Sequence, residues 1–515
     1  MQESRIFSLL LDMNIQLNYK KYFTFICIVY LVVFFVSCRQ AEEISSPVDG
    51  KIKVKSIFNI KNNELAQKII HLSYDWKFKK ANKAIIKLRE NKDDQLLADL
   101  LDVGNCFWRY IGAMTPEHNK FAKEEYSRSV KKVKISTAAA LKANSNDLKA
   151  LFLLGFTEGS QAKFYAIEAE WFKAYRYGVK GYGRLLKIQR INKHDYDSQF
   201  GIGIYKYYCA TFLPKWFQKI SWMVPGIDVD RKGGYDRIVI ASQFASVIKV
   251  EAQLSLGQSD AHYERKYLRS KILLEKLYDE YPHNKVVQYS LAATCFYYGD
   301  HLRYFGKLKE SNKEFKESLS IGSDKPGFRM VLRKKNYLMP SMKWTMVAHS
   351  DIEILFSTYL EMSRNYFYMN NIKKATDCLE DGADEDHMPK MLQAALYFEI
   401  ARQRRILGLE DYKKYIDKAS KLAGPHSDIS RHCRAFLSSK YRLPHLEKIM
   451  HQINQGIFLT KIGLKEVVEY YSKYKSTHYR YQFYKILSHL YQIDDQPNKS
   501  EKYDDLYRVH RQAER

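Results

Sequence analysis

A chain of 515 residues with a formal net charge of +26 is too long for one ordinary hydrophobic core unless that core is drawn out along the chain. A hydrophobic share of 46% excludes wholesale disorder. Only 23 glycines and 11 prolines, against 40 tyrosines, leave too few turn residues for an all-β or multi-strand α/β protein, so the composition points to helices. The 84 basic residues are scattered, as on a solvated lysine-rich surface or one that attracts a polyanion; a patch would carry meaning where a total does not.

At the start, Lys20 and Lys21 precede an apolar run from Tyr22 to Val36 that ends in Phe35-Val36-Ser37-Cys38. A basic flank, an apolar core shorter than the roughly 20 residues of a membrane span and a small residue before the cut make a secretory signal. Met13 would give this signal an ordinary length and reads as an alternative start. Ser37-Cys38 resembles the lipobox of bacterial lipoproteins, although Phe35 stands where leucine is usual. That resemblance implies lipidation of Cys38 with a diacylglyceryl group, a signal peptide over 1–37 and a tether over 38–58. Arg39 and Gln40 follow the cysteine, with no aspartate of the inner-membrane type, so the expected address is the outer membrane if the cell has one.

The remainder reads as helix, short polar break, helix. A repeating helix pair needs bulky residues at positions 4, 7, 11 and 24, and small ones at 8, 20 and 27 where the helices approach. Ala81, Ile85 and Leu88 make a second helix near the start. Leu154-Gly155 and Ile202-Gly203 fit positions 7 and 8 but lie 48 residues apart, which requires long helices between them. Between them falls a dense polar-aromatic helix with Glu168, Glu170, Trp171, Lys173, Tyr175 and Arg176; on an inner surface it would read a peptide. An insertion at 212–235, rich in Trp and Pro, breaks the rhythm. Its Trp216 and Trp222 belong either to an ordered loop packed on the repeats or to a partner-binding lip. Ser311, Phe315 and Ser318 form a second helix whose first helix, around Gln288, Leu291, Ala292 and Cys295, must be lengthened.

The clearest unit runs from Tyr359 to Gly382: Tyr359, Met362, Ser363 and Tyr366, a turn at Asn370-Asn371, then Ala375, Leu379 and Gly382. Tyr397, Ile400, Ala401 and Arg404 begin another, completed one residue out of phase by Tyr412, Ile416 and Ala419, with Pro425 beyond it. Tyr484, Leu487, Ser488, Tyr491 and Ser500 repeat the pattern near the end. On these residues the chain resembles the tetratricopeptide-repeat (TPR) lipoproteins of bacterial envelopes. The expected fold is therefore all-α, an α-solenoid of TPR-like antiparallel helix pairs. Degenerate repeats occupy 59–300 and clearer ones 301–515, roughly ten pairs in all.

No catalytic motif is present: neither HExxH, GxSxG nor a phosphate loop occurs, so no catalytic residue and no cofactor is assigned. Gly178, Gly181 and Gly183, or Gly201 with Gly203, read as close helix packing. The run Glu380, Asp381, Asp384, Glu385, Asp386 and His387 lacks calcium-loop spacing and reads as a solvated turn, so no metal is expected. Cys106, Cys209, Cys295, Cys378 and Cys433 are odd in number and widely spaced, as free apolar residues are. The expected function is a membrane-anchored scaffold binding a protein or peptide partner, with Trp171, Tyr175, Arg176, Trp216 and Trp222 as contact residues. The alternative is binding of an anionic envelope polymer, glycan or lipid. Export argues against a nucleic-acid partner.

Overall fold

The computed structural model describes residues 57–437, apart from 323–350 and shorter gaps, and scattered residues between 484 and 506. The signal, the lipidation site at Cys38 and most of the tether lie outside the described residues, as do Trp216 and Trp222.

Among the described residues there are helices and no strand. They alternate as first and second members of antiparallel pairs: α1 (Glu64–Tyr74) with α2 (Phe78–Arg89), α3 (Gln95–Ile111) with α4 (Pro116–Ala143), α5 (Leu148–Ile167) with α6 (Trp171–Ile191), and α7 (Tyr196–Phe212) with α8 (Arg231–Phe244). Then follow α9 (Lys249–His262) with α10 (Tyr267–Glu280), α11 (Lys285–Tyr304) with α12 (Leu308–Gly322), α13 (Asp351–Tyr368) with α14 (Ile372–Ala383), α15 (Lys390–Ile406) with α16 (Tyr412–Ala423), and α17 (Asp428–Leu437). This is the expected TPR-like helix-pair architecture.

The helix ends explain the rhythm. Asn63, Asp147, Asp195, Asp230 and Asn371 each accept a hydrogen bond from the third backbone N–H beyond them, capping a helix start. Trp76, Gly306, Asn370 and Gly408, each at the turn inside a pair, take the left-handed conformation (φ 57°, 71°, 57° and 75°). In each case the next residue's N–H reaches back five residues, from Lys77 to Leu72, Lys307 to Leu302, Asn371 to Tyr366 and Leu409 to Arg404. This is a Schellman closure, which reverses the chain and satisfies an orphan carbonyl.

In three pairs, the small residues at positions 8 and 20 touch. Ser363 Oγ donates to the Ala375 carbonyl at 2.7 Å, Ser311 Oγ to Gly299 at 2.7 Å and Ser500 Oγ to Ser488 at 3.0 Å. The lengthened first helix expected before Ser311 is α11, and Gly299 is its position 8. In the N-terminal half the same crossing is made by glycine on glycine. A Cβ on Gly181 would lie 2.9 Å from the Gly155 carbonyl oxygen, and one on Gly203 2.8 Å from that of Gly234. Long helices and the 212–235 insertion separate these partners in sequence, which is why the N-terminal repeats look degenerate.

Each first helix also packs on the next-but-one element, the following first helix, over most of the array. No two second helices of the described residues pack on one another to that extent. The first helices therefore form the inner, shorter layer and the second helices the outer one. The array also returns on itself: Asn284 Nδ2 donates to the Tyr74 carbonyl at 2.8 Å, and His283 Nδ1 lies 2.9 Å from Asp75. Tyr74, Trp108, Val250, Leu274 and Tyr281 share one core there.

Candidate functional site

Two surfaces collect polar chemistry. The first is a row on the inner layer. Arg303 of α11 pairs with Glu361 of α13, Arg364 lies 2.9 Å from Glu361 and 3.1 Å from Glu399 of α15, and Arg402 Nε donates to Glu399 at 2.7 Å. Glu361-x-x-Arg364 and Glu399-x-x-Arg402 occupy the same register on successive first helices. Burial would raise the Glu399 carboxyl, but Arg402 and Arg364 overcome it and hold the group at about 2. Carboxamides extend the row: Asn365 Nδ2 reaches Ser311 and Asn312 at 2.8 Å, and Gln403 Nε2 reaches Ser363 at 3.1 Å. Tyr368 and Phe398 are half-buried one helical turn from Arg364 and Arg402. Sequence reasoning found the helices but missed this row, whose signal was the recurring Glu-x-x-Arg.

The second surface surrounds the start of α6, where Trp171, Tyr175 and Arg176 were expected to act. All three lie on a second helix, hence on the outer layer, with Trp171 half-buried and Tyr175 and Arg176 exposed. Tyr165 of α5 and Tyr177 stack at 5.3 Å between centroids. Lys134 of α4 and Arg176 lie over the Tyr177 ring at 5.2 and 5.7 Å, and Lys173 over Tyr165 at 5.2 Å. Burial raises the Tyr177 hydroxyl, but Lys134 and Arg176 outweigh it and pull it below the usual phenol range. The structure brings Arg176 together with Lys134 at the Tyr177 ring, whereas Tyr175 lies near Cys209 and Tyr205 of α7. These are neighbours the sequence could not name.

The described end of the 212–235 insertion is packed down. Gly226 (φ 80°) fits against Val179, Tyr205 Oη donates to its carbonyl at 2.7 Å, Tyr182 Oη donates to Asp228 at 2.5 Å, and Lys206 lies 3.0 Å from Asp228.

Cys295, Glu314 and Glu317 are close enough together to suggest a metal site. The Lys271 ammonium lies 2.8 Å from each carboxylate and supplies the positive charge there. In the acidic run, Glu385 accepts from Tyr359 Oη at 2.6 Å and Glu380 from Tyr415 Oη at 3.2 Å, so these two join helices rather than face solvent alone; Asp386 and His387 lie outside the described residues. Cys106, Cys209, Cys295, Cys378 and Cys433 are free, the last three buried. Among the described residues no sheet exists to carry a sheet-based active site, and no helix is long and apolar enough to cross a membrane.

Asp197 is an unusual titratable group. It is fully buried, and its Oδ1 accepts the N–H groups of Ser246, Val247 and Ile248 at 3.0, 2.9 and 3.1 Å. Burial and the neighbouring Asp195 outweigh those bonds and raise it to about 7. A raised carboxyl binds its proton more tightly in the folded state, so its contribution is full below about pH 4 and is lost as pH rises toward 7. Asp197→Asn is expected to flatten the fall in Tm between pH 5 and pH 8. Parallel Tm profiles for the two proteins would show that Asp197 does not titrate there.

No protein-family model matches the chain, and the search of curated proteins finds no match. Among solved structures the chain is similar to a monomeric IFIT1 mutant with Gppp-AAAA, at 14% identity over 88% of this chain and 96% of that one, TM-score 0.27. It is also similar to a human IFIT1 dimer with PPP-AAAA, at 13% identity over 88% of this chain and 95% of that one, TM-score 0.25. Both of those structures hold nucleic-acid ligands, and the expectation that nucleic acid is no partner is corrected here. That expectation followed from export, which was read from residues outside the described ones, so nucleic acid returns to the partners a test must include.

Proposed function

We propose that the chain is a membrane-tethered helical-repeat scaffold of a bacterial cell envelope, lipidated at Cys38, that holds a protein or peptide partner along its inner layer. Where the cell has an outer membrane, that is its proposed address. The observation that supports a binding role is the packing of first helix on first helix, which makes one continuous inner face. The paired Arg303, Glu361, Arg364, Glu399 and Arg402 fix side chains along it. Arg364 and Arg402, half-buried and held by the buried Glu361 and Glu399, present their guanidinium groups to an extended chain without first having to be ordered, which lowers the entropic cost of binding.

The test is covalent cross-linking in intact cells, followed by identification of what co-purifies. A recurrent protein partner is expected, retained by the native chain and reduced at least about tenfold, or 1.4 kcal/mol, by Tyr368→Ala combined with Phe398→Ala. Circular dichroism of the double variant controls for folding. Recovery of nucleic acid or glycan in place of protein, or a partner indifferent to both substitutions, would overturn the reading. The mass of the N-terminal peptide tests the anchor separately: a diacylglyceryl group is expected on Cys38, and an unmodified cysteine would remove the tether from the proposal.

A further inference from the structure

The assignment of helices to layers shows where the positive charge resides. The outer helices α2, α4 and α6 carry five, seven and six basic residues against none, three and none acidic, a net charge of +15. The first helices between which they sit, α1, α3 and α5, carry four basic and four acidic residues. More than half of the chain's +26 therefore lies on three successive outer helices.

Those helices form one continuous surface. Arg89 of α2 and Lys132 of α4 converge on Asp99 of α3, at 3.1 and 3.3 Å, so α2 and α4 flank α3 on the same side. Lys134 of α4 lies over Tyr177 of α6, so α4 and α6 adjoin. Much of the charge is unanswered: Lys79, Lys80, Lys83, Lys87, Lys131 and Lys180 are exposed and have no ion-pair partner among the described residues.

Large apolar side chains stand between these cations. Ile86 is 55% exposed, Ile135 and Phe172 66% each. Up to residue 322, every strongly exposed large hydrophobic side chain on the described residues belongs to a second helix and none to a first. Exposed apolar groups on a face already rich in lysine are costly in water, and although a ring such as Phe172 could stack on a base, the aliphatic tips of Ile86 and Ile135 have no use against a hydrophilic polyanion. Against a lipid headgroup layer both features are complementary, since the cations meet anionic headgroups while the apolar tips enter the acyl boundary.

We propose that the outer face of α2, α4 and α6 docks on an anionic lipid surface, with Ile86, Ile135 and Phe172 entering the interface among the lysines. Docking of this face is independent of the inner-layer partner and of lipid on Cys38, and it orients the inner layer away from the bilayer.

The experiment places a photo-activatable phenylalanine analogue at position 172 of the full chain, and in a second preparation at position 398 on the inner layer. Each is mixed with vesicles of phosphatidylcholine alone or with added phosphatidylglycerol. Lipid adducts are quantified by mass spectrometry. Position 172 is expected to gain adducts several-fold with phosphatidylglycerol and position 398 to stay at background. Lys83→Glu, Lys87→Glu and Lys180→Glu together should remove most of that gain while circular dichroism is unchanged. Equal adducts at position 172 in both vesicle types would overturn the proposal. So would a preference for soluble heparin or an oligonucleotide, seen as loss of every adduct when either is added at equal charge. Failure of either kind leaves the partner cross-linking and the Cys38 mass unaffected, so the two readings fall separately.

Discussion

Glu399→Ala is expected to lower stability by about 3–5 kcal/mol, because it removes the carboxylate that two guanidinium groups share in a half-buried row. Glu399 is 5% exposed and receives Arg364 and Arg402 from two successive first helices. Of the two, Arg364 also pairs with Glu361, which Arg303 reaches as well. The acid side of the stability profile carries an independent signature. A carboxyl depressed to about 2 contributes in full above its unfolded value of about 4.3 and loses that contribution as pH falls through 2. The native chain should therefore lose stability faster than the variant between pH 4 and pH 2. In a solenoid each pair contacts only its neighbours, so the damage should stay local. Amide exchange is expected to accelerate in α13, α15 and α17 while α3 and α5 keep their protection. Glu410→Ala, whose carboxylate is 83% exposed beside Lys413, should leave both profiles unchanged. A Glu399→Ala protein as stable as Glu410→Ala would mean the row is decoration.

How much of this was open to reading depends on how local the signal is. The unit from Tyr359 to Gly382 could be placed in register because its small residues, Ser363 and Ala375, are twelve apart and both helices are of ordinary length. The pairs Gly155 with Gly181 and Gly203 with Gly234 obey the same packing rule. Their separations, 26 and 31 residues, are set by helix length and by the insertion, so a fixed period cannot find them. The left-handed turn was legible at Asn370 and Gly408 from residue type, but not at Trp76. There an indole adopts φ 57° and packs on Gly112, which a Cβ would bring within 3.0 Å of the ring.

Charge behaved similarly. A total of +26 says nothing about a patch, and no run of lysines marks one. The patch emerges only when alternate helices are assigned to alternate layers, because a solenoid separates in space what lies adjacent in sequence. For the same reason Tyr175 and Arg176 could be singled out as a dense polar-aromatic cluster, while Lys134, which meets Arg176 at the Tyr177 ring from the preceding second helix, could not.

The second large effect concerns the crossing of α7 and α8. Gly234→Ala is expected to cost about 3 kcal/mol, even though alanine is the better helix former. The added Cβ would lie 2.6 Å from the Tyr207 backbone nitrogen and 2.8 Å from the Gly203 carbonyl oxygen. Both are backbone atoms of the opposing helix, so no side chain can turn aside and the helices themselves must part. Tyr207 is fully buried at that crossing, and parting the helices opens space around it. The described end of the insertion hangs on the same elements, through Tyr205 to Gly226 and Tyr182 to Asp228. Release of residues 226–230 to fast amide exchange should therefore accompany the loss of stability. The control is Gly183→Ala on α6, where a Cβ meets nothing within 4 Å; there propensity acts alone and stability should rise by about 0.5–1 kcal/mol. Opposite signs from two helical Gly→Ala changes would establish that the N-terminal pairs are held by backbone contact. A Gly234→Ala protein that melts no earlier than Gly183→Ala would show that the crossing is looser than the 2.6 Å approach requires.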